Sequence, residues 1–281
     1  MRPIWAIFIF FVYSHFFYLV TSAVPSHFDF RDEFPSCVPS IVDQGTCAAG
    51  SFAYASTYSI AARTCIITDD IPDPSSAEIL SCAVPNGCKE GFYSDVVEYV
   101  SNFGLRSSSC YLHSATPQDC LTSGCTSTFN FDSNPVVWIR ESSYRFSVTN
   151  DWLKMELTTN GPISITIPIF ESFLDYESGI YSPIHNDSHI GFLYTNLIGY
   201  DDTEDYFILT NSKGSSWGES GYFRANQSSE ELSFGMAVMA FEVDPEAVPF
   251  NMFYVYIVLV VVGLVFVIGV VWFLIKSMKR Y

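Results

Sequence analysis

Positive charge is scarce in this chain. Thirteen lysines and arginines stand against 30 aspartates and glutamates over 281 residues, a net charge of -17. So acidic a protein gives nucleic acid and anionic lipid no surface on which to gather, and both are excluded as partners of its soluble part. Cysteine is absent outside the window Cys37 to Cys125, and within it no Cys-x-x-Cys pair occurs; histidines form no cluster. That removes the usual spacing of a metal site, so no metal and no other cofactor is expected. Internal repeats and low-complexity linkers are missing as well, which excludes a repeat array.

What is present begins with two apolar ends. Met1-Arg2 precedes an apolar run, Ile4 to Val20, which gives way to the small residues Thr21-Ser22-Ala23. This describes a secretory signal peptide over residues 1–23, cut after Ala23, with a membrane anchor as the competing reading. The second run, Met252 to Ile275, has 24 residues and no charge. As a helix it reaches about 36 Å, enough for a hydrocarbon core of ~30 Å. A transmembrane helix is therefore expected over 249–275. Lys276, Lys279 and Arg280 follow, which places the 276–281 tail in the cytosol and makes a single-pass type I protein. Its bulk would face a lumen or the outside, at the cell surface or an endolysosomal membrane.

Eight cysteines in a secreted segment read as disulfides. Asn186-Asp187-Ser188 and Asn226-Gln227-Ser228 are candidate glycan acceptors. Residues 24–248 suffice for one large domain or two lobes. Helical patterning runs from Ser51 to Ile67, from Ser75-Ser76-Ala77-Glu78 to Cys82, and from Ser94 to Phe103, stopped at Gly104. After Val136 strands dominate: Ile163 to Ile169, Leu193 to Gly199, Tyr206 to Thr210, Tyr222 to Arg224 and Met236 to Val243, with a helix over Asp151 to Thr159. The expected fold is α+β: a helical lobe over about 24–130, a β lobe over about 131–248, and a binding cleft between them.

Several segments, in order, resemble cathepsin B and the papain family more broadly. They are Phe28-Asp29-Phe30-Arg31-Asp32, Asp43-Gln44-Gly45-Thr46-Cys47, Ile60-Ala61-Ala62-Arg63-Thr64-Cys65, Ser76-Ala77-Glu78-Ile79-Leu80-Ser81-Cys82, Asn160-Gly161-Pro162, Tyr176-Glu177-Ser178-Gly179, and Asn211-Ser212 with Ser216-Trp217-Gly218. No one of them is decisive; their order is. The resemblance covers nearly all of 24–248 and implies a papain-like two-lobe fold. It also implies a thiolate nucleophile, a histidine base, an asparagine that orients it, and an oxyanion donor.

Residue by residue, that apparatus is incomplete. Gln44 stands at the oxyanion donor's place and Asn211 at that of the orienting asparagine. The nucleophile's place falls on Gly50 counting from Cys47, and on Ser51 counting back from Phe52-Ala53-Tyr54; Ser51 is preferred. Neither is a thiol. The histidine's place, six residues before Gly199, holds Leu193. His189 and His185 lie four and eight positions earlier, and four residues along a strand is a displacement of ~13 Å. Lys213 replaces the tryptophan that shields the asparagine–histidine pair. Glu90-Gly91 replaces a glycine pair in the substrate cleft, Trp217 stands at the cleft, and Ala237 stands where a glutamate would select basic side chains. The Cys110–Cys125 segment lacks the histidine pair of an occluding loop, and no pro-segment separates the signal cut from the mature-like start. The resemblance implies the disulfides Cys37–Cys65 and Cys47–Cys88, then Cys82 with the Cys120/Cys125 region, Cys125 first, leaving Cys110 with Cys120.

The expected protein is thus a membrane-anchored, inactive homologue that binds a peptide or protein in its cleft. Two alternatives remain open: a peptidase using Ser51 with His189 or Lys213 as base, and a structural surface antigen. Oligomeric state is not legible.

Overall fold

The computed structural model describes residues 24–47, 49–84, 86–111, 120, 139–184 and 186–243. The expected signal peptide over 1–23, the span over 249–275, the tail and the boundary between lobes near 130 lie outside them. Among the described residues no helix is long and apolar enough to cross a membrane.

The chain opens with β1 (His27–Asp29) and a single helical turn, α1 (Phe30–Glu33), capped by the Asp29 carboxylate accepting from the Arg31 N–H. The central helix α2 (Ser51–Thr68) ends at Asp69 in the left-handed conformation. The helical turn α3 (Ser76–Glu78), with Ser75 as N-cap, continues as a wider turn over Ile79–Ala83. Then come α4 (Tyr93–Phe103), β2 (Ile139–Phe146), α5 (Asn150–Asn160), β3 (Ile163–Phe170), β4 (Ile180–Tyr181), β5 (His189–Asp201), β6 (Tyr206–Thr210), β7 (Tyr222–Asn226) and β8 (Ala237–Val243). The sheet runs β2-β8-β3-β5-β6-β7-β4, with β1 also on β5; among the described residues only the β4–β7 pairing is parallel.

The expected helices and strands are all present, with ends shifted by up to four residues. The largest shift is β5, which begins at His189 rather than Leu193 because β3 pairs with it that far, Phe170 opposite His189, past a bulge. The division into an N-terminal helical lobe and a C-terminal β lobe needs correction at its edges. β1 pairs Phe28 with Tyr200, and Phe28 and Phe30 are buried in the β-side core. In return Met239 and Phe241 of β8 join the helical core with Phe52, Ile79, Tyr93 and Val96. Alternating apolar residues decide this, since each goes to the core its strand face meets.

Helix α2 serves both cores. Ser51 through Cys65 are buried on every side, so the helix meets solvent only in its last turn, at Ile67. Its one buried charge is satisfied. Arg63 donates through Nε to Pro162 O (2.7 Å), through Nη1 to Phe241 O (3.2 Å) and through Nη2 to Glu156 Oε1 (3.0 Å) and Gly161 O (3.1 Å). Burial lowers its pKa, a shift that the Glu156 carboxylate opposes.

The disulfides Cys37–Cys65 and Cys47–Cys88 form as expected. The other two expected pairings are overturned. Cys82 bonds Cys120, not Cys125, so Cys120 is not available to Cys110, which is itself disulfide-bonded. Tyr111 explains the choice: its hydroxyl donates to Cys120 O (2.7 Å) and lies 3.2 Å from Cys82 Sγ, which draws Cys120 against the end of the Ile79–Ala83 turn.

Candidate active site

The approach to α2 is built by a glutamine and a disulfide. Gln44 N–H donates to Ser212 O (2.7 Å), Gln44 Nε2 donates to Cys47 O (2.9 Å), and Ser212 Oγ donates to Gln44 Oε1. The amide at the oxyanion donor's place is thus already engaged in joining the turn to the end of β6. The Cys47–Cys88 bridge draws residues 88–91 beside the helix start, where Ala49 N–H donates to Cys88 O (3.2 Å). Gly50 is the N-cap, and a Cβ there would come within 2.7 Å of Cys47 Sγ. A Cβ on Gly91 would meet the Phe52 ring at 2.2 Å. These two glycines are required by close approach.

Ser51 is the first residue of α2 and is 5% exposed. Its Oγ accepts a hydrogen bond from the Tyr194 N–H (3.3 Å), next to Leu193 on β5. Ser51, not Gly50, therefore faces the strand that carries the histidine's place. Leu193 is buried against the β-side core, paired with Ile167 of β3. It has no proton acceptor to offer. Asn211 N–H donates to Gly221 O (2.8 Å), and its Oδ1 accepts from Ser212 N–H (2.8 Å). Its Nδ2 is buried with no hydrogen-bond partner. Leaving a buried amide donor unmatched costs about 1–3 kcal/mol.

The candidate bases are elsewhere. His189 is five residues before Tyr194 on β5, roughly 16 Å along the strand. The bulge turns it onto Phe170 (5.8 Å between ring centres) and Phe192 (5.0 Å). Lys213 is exposed, with Nζ 5.7 Å from the centre of the Trp217 ring. His185 lies outside the described residues. A serine hydroxyl with no adjacent base is a poor nucleophile, and this one is also buried and serves as an acceptor.

Around this centre, Glu90 is exposed and Gly91 is buried under Phe52. Trp217 packs among Phe173 (5.4 Å), Tyr176 (5.5 Å) and Phe223 (6.0 Å). Glu219 beside it is part-buried, which would raise its pKa, but the Arg224 hydrogen bonds outweigh burial and hold it below the usual range. Ala237 is buried on β8, opposite Thr166 of β3. Among the described residues no cluster of histidine, cysteine and carboxylate is placed to hold a metal.

One residue went unremarked in the sequence. Tyr194 follows the histidine's place, and its ring bridges the lobes edge-on to Phe52 (6.2 Å) and Tyr93 (4.9 Å). The only signal was a large aromatic at the residue whose side chain alternates with Leu193 across the strand.

Of the two candidate glycan acceptors, Asn186 is exposed in a turn with φ 62°. Asn226 is half-buried in β7, its Oδ1 accepting from Ser228 N–H (2.8 Å).

Comparison with known proteins places these features. Residues 24–242 match the model of the papain family cysteine proteases. The chain is 30% identical over 208 residues to cathepsin B-like CP2 of Giardia intestinalis, covering 72% of this chain and 68% of that protein. It is 28% identical over 247 residues to cathepsin B-like cysteine proteinase 5 of Caenorhabditis elegans, covering 73% and 70%. Among solved structures, procathepsin B S9 from Trypanosoma congolense superposes with a TM-score of 0.69 at 22% identity, over 80% of each chain.

Proposed function

The chain belongs to the papain family of cysteine proteases, with cathepsin B-like relatives, and from that premise we propose that it is a non-catalytic member that captures peptides in the cleft between its lobes. The observation that carries this reading is the state of Ser51: buried, accepting from the Tyr194 N–H, and followed across the gap by Leu193 instead of a base. Proton transfer and nucleophile act as a unit in such enzymes, so loss of both leaves no graded remnant of the mechanism. What remains is the geometry around the cleft, with Glu90, Lys213, Trp217 and Ala237 as the residues a bound chain would meet.

We place the protein in the secretory pathway as a type I membrane protein, anchored by 249–275 after removal of 1–23. Disulfides fit that compartment, as does Asn186, the glycan acceptor we favour.

The reading is tested by passing a mixed peptide library over the immobilised full-length chain. Retained peptides that elute intact, in a set altered by Glu90→Arg, are the expected result. Eluted fragments, or no retention at all, would overturn it.

A further inference from the structure

A cavity of about 450 Å³ lies between the lobes, adjoining the catalytic positions through Tyr194, Asn211 and Ser212. One face of α2 forms its floor, with Tyr54, Ala55, Tyr58 and Ala61 at helical spacing. Asn196, Thr210 and Asn211 form the opposite wall, and the segments 38–42 and 71–76 enclose the mouth. Ser51, Gln44, Glu90, Gly91, Leu193 and Trp217 do not line it; Asn211 is the one residue it shares with the catalytic positions.

Its chemistry is one-sided. Among the described residues no lysine, arginine or histidine lines it, and the one charged side chain is Asp73, exposed at the mouth with its carboxylate accepting from Ser108 Oγ. Asp43 stands close enough for its charge to add to the upward shift of Tyr54, whose hydroxyl burial pushes up to about 12. The cations around it are engaged elsewhere: Arg31, whose charge reaches Tyr58 on the floor, pairs with Asp29, Lys213 lies over Trp217, and Arg106 pairs with the buried Glu78. Many of the wall's hydroxyls are likewise used within the protein. Thr57 Oγ1 donates to Ala53 O (3.1 Å), Ser75 Oγ to Tyr111 O (2.7 Å), and Ser212 Oγ to Gln44. Asn211 Nδ2 has no acceptor. At the rim, Val42 is 40% and Ile71 37% exposed.

These features select a guest. An anion meets Asp73 and finds no cation. A wholly apolar guest buries a carboxylate and leaves the Asn211 amide unmatched, both unfavourable. A basic side chain carried on a peptide fits better. Its charge meets Asp73 with Asp43 nearby, and its methylene stem lies along Val42 and Ile71. Tyr54 and Tyr58 on the floor are aromatic partners for a cation, and a peptide carbonyl supplies an acceptor near Asn211.

We propose that this interlobe cavity is a second docking site, for a basic segment of a protein partner, with one arginine or lysine side chain inserted between the 38–42 and 71–76 segments. The site stands whether or not the cleft binds peptides, so the two readings fail separately.

The test is fluorescence anisotropy on the full-length chain with a labelled octapeptide of alternating arginine and glycine, beside its glutamine-for-arginine counterpart. The arginine peptide is expected to bind at least about tenfold more tightly, with an affinity that falls as salt rises. Ala61→Leu, which fills the floor, abolishes that difference. Val42→Lys, at an exposed rim position that leaves the core untouched, weakens binding by about tenfold or more with an unchanged melting temperature. Equal binding of the two peptides, no binding of either, or loss with Glu90→Gln but not with Val42→Lys would each overturn the proposal.

Discussion

The Ser51 hydroxyl is placed as an acceptor. In a serine nucleophile it would donate its proton to a base; here it accepts from the Tyr194 N–H and helps hold α2 against β5. A structural hydroxyl predicts a structural phenotype. Ser51→Ala should lower the free energy of unfolding by about 1–2 kcal/mol, read by denaturant titration, because it removes a buried acceptor. A catalytic hydroxyl would instead leave stability nearly unchanged. The sequence was legible here in a particular way. Gln44, Ser51, Leu193 and Asn211 were picked out by their neighbours, and the structure sets Ser51 against the residue after Leu193 and Gln44 against the residue after Asn211. What could not be read was that Gln44 is tied to Cys47 and Ser212, or that Asn211 bonds its own neighbour. Side-chain rotations decide those contacts, and they leave no trace in residue order.

The central helix is the element on which both lobes depend. Ser51 to Cys65 contains serines, threonines and an arginine as well as apolar residues, so no amphipathic stripe announces a buried helix. Its hydroxyls solve the burial problem locally: Ser56, Thr57 and Thr64 donate to carbonyls one turn earlier. Arg63 solves it across the interface, by joining α2 to the Gly161-Pro162 turn and to β8. Arg63→Ala would leave the part-buried Glu156 carboxylate without its cation and take a donor from the Gly161, Pro162 and Phe241 carbonyls, of which Pro162 keeps Ser59 Oγ. A loss of about 3–5 kcal/mol is expected, measured as a fall in the denaturation midpoint. The strands were legible because β3 alternates apolar with other residues, while β6 and β8 are short apolar runs bounded by turn residues. The start of β5 was not, since His189, Gly191 and the bulge opposite Phe170 interrupt the alternation. The pairing of Cys82 was misjudged because it depends on Tyr111, a residue far from Cys82 in sequence, reaching both sulfur and chain.

For the whole molecule, composition told most. Cysteines confined to one window announce the crosslinking that three disulfides among the described residues show. The interleaving of the lobes did not show, because it depends on which core each end of the chain reaches: β1 joins the β side, while Met239 and Phe241 of β8 join the helical side. Two expectations follow at this scale. The full-length chain should stay with membranes through an alkaline carbonate wash. Asn186→Gln should remove one glycan's mass on a gel while Asn226→Gln leaves mobility unchanged, because only Asn186 projects freely from its turn. Release by carbonate would remove the anchor, and a shift with Asn226→Gln would reverse the assignment of the acceptors.

The most direct test of an inactive centre is hydrolysis of a mixed peptide library by the purified full-length protein, run beside Ser51→Ala. Equal background signals from both, with both folded, are what a buried hydroxyl without a base predicts. Cleavage by the parent protein that disappears in Ser51→Ala would contradict it and make Ser51 a working nucleophile.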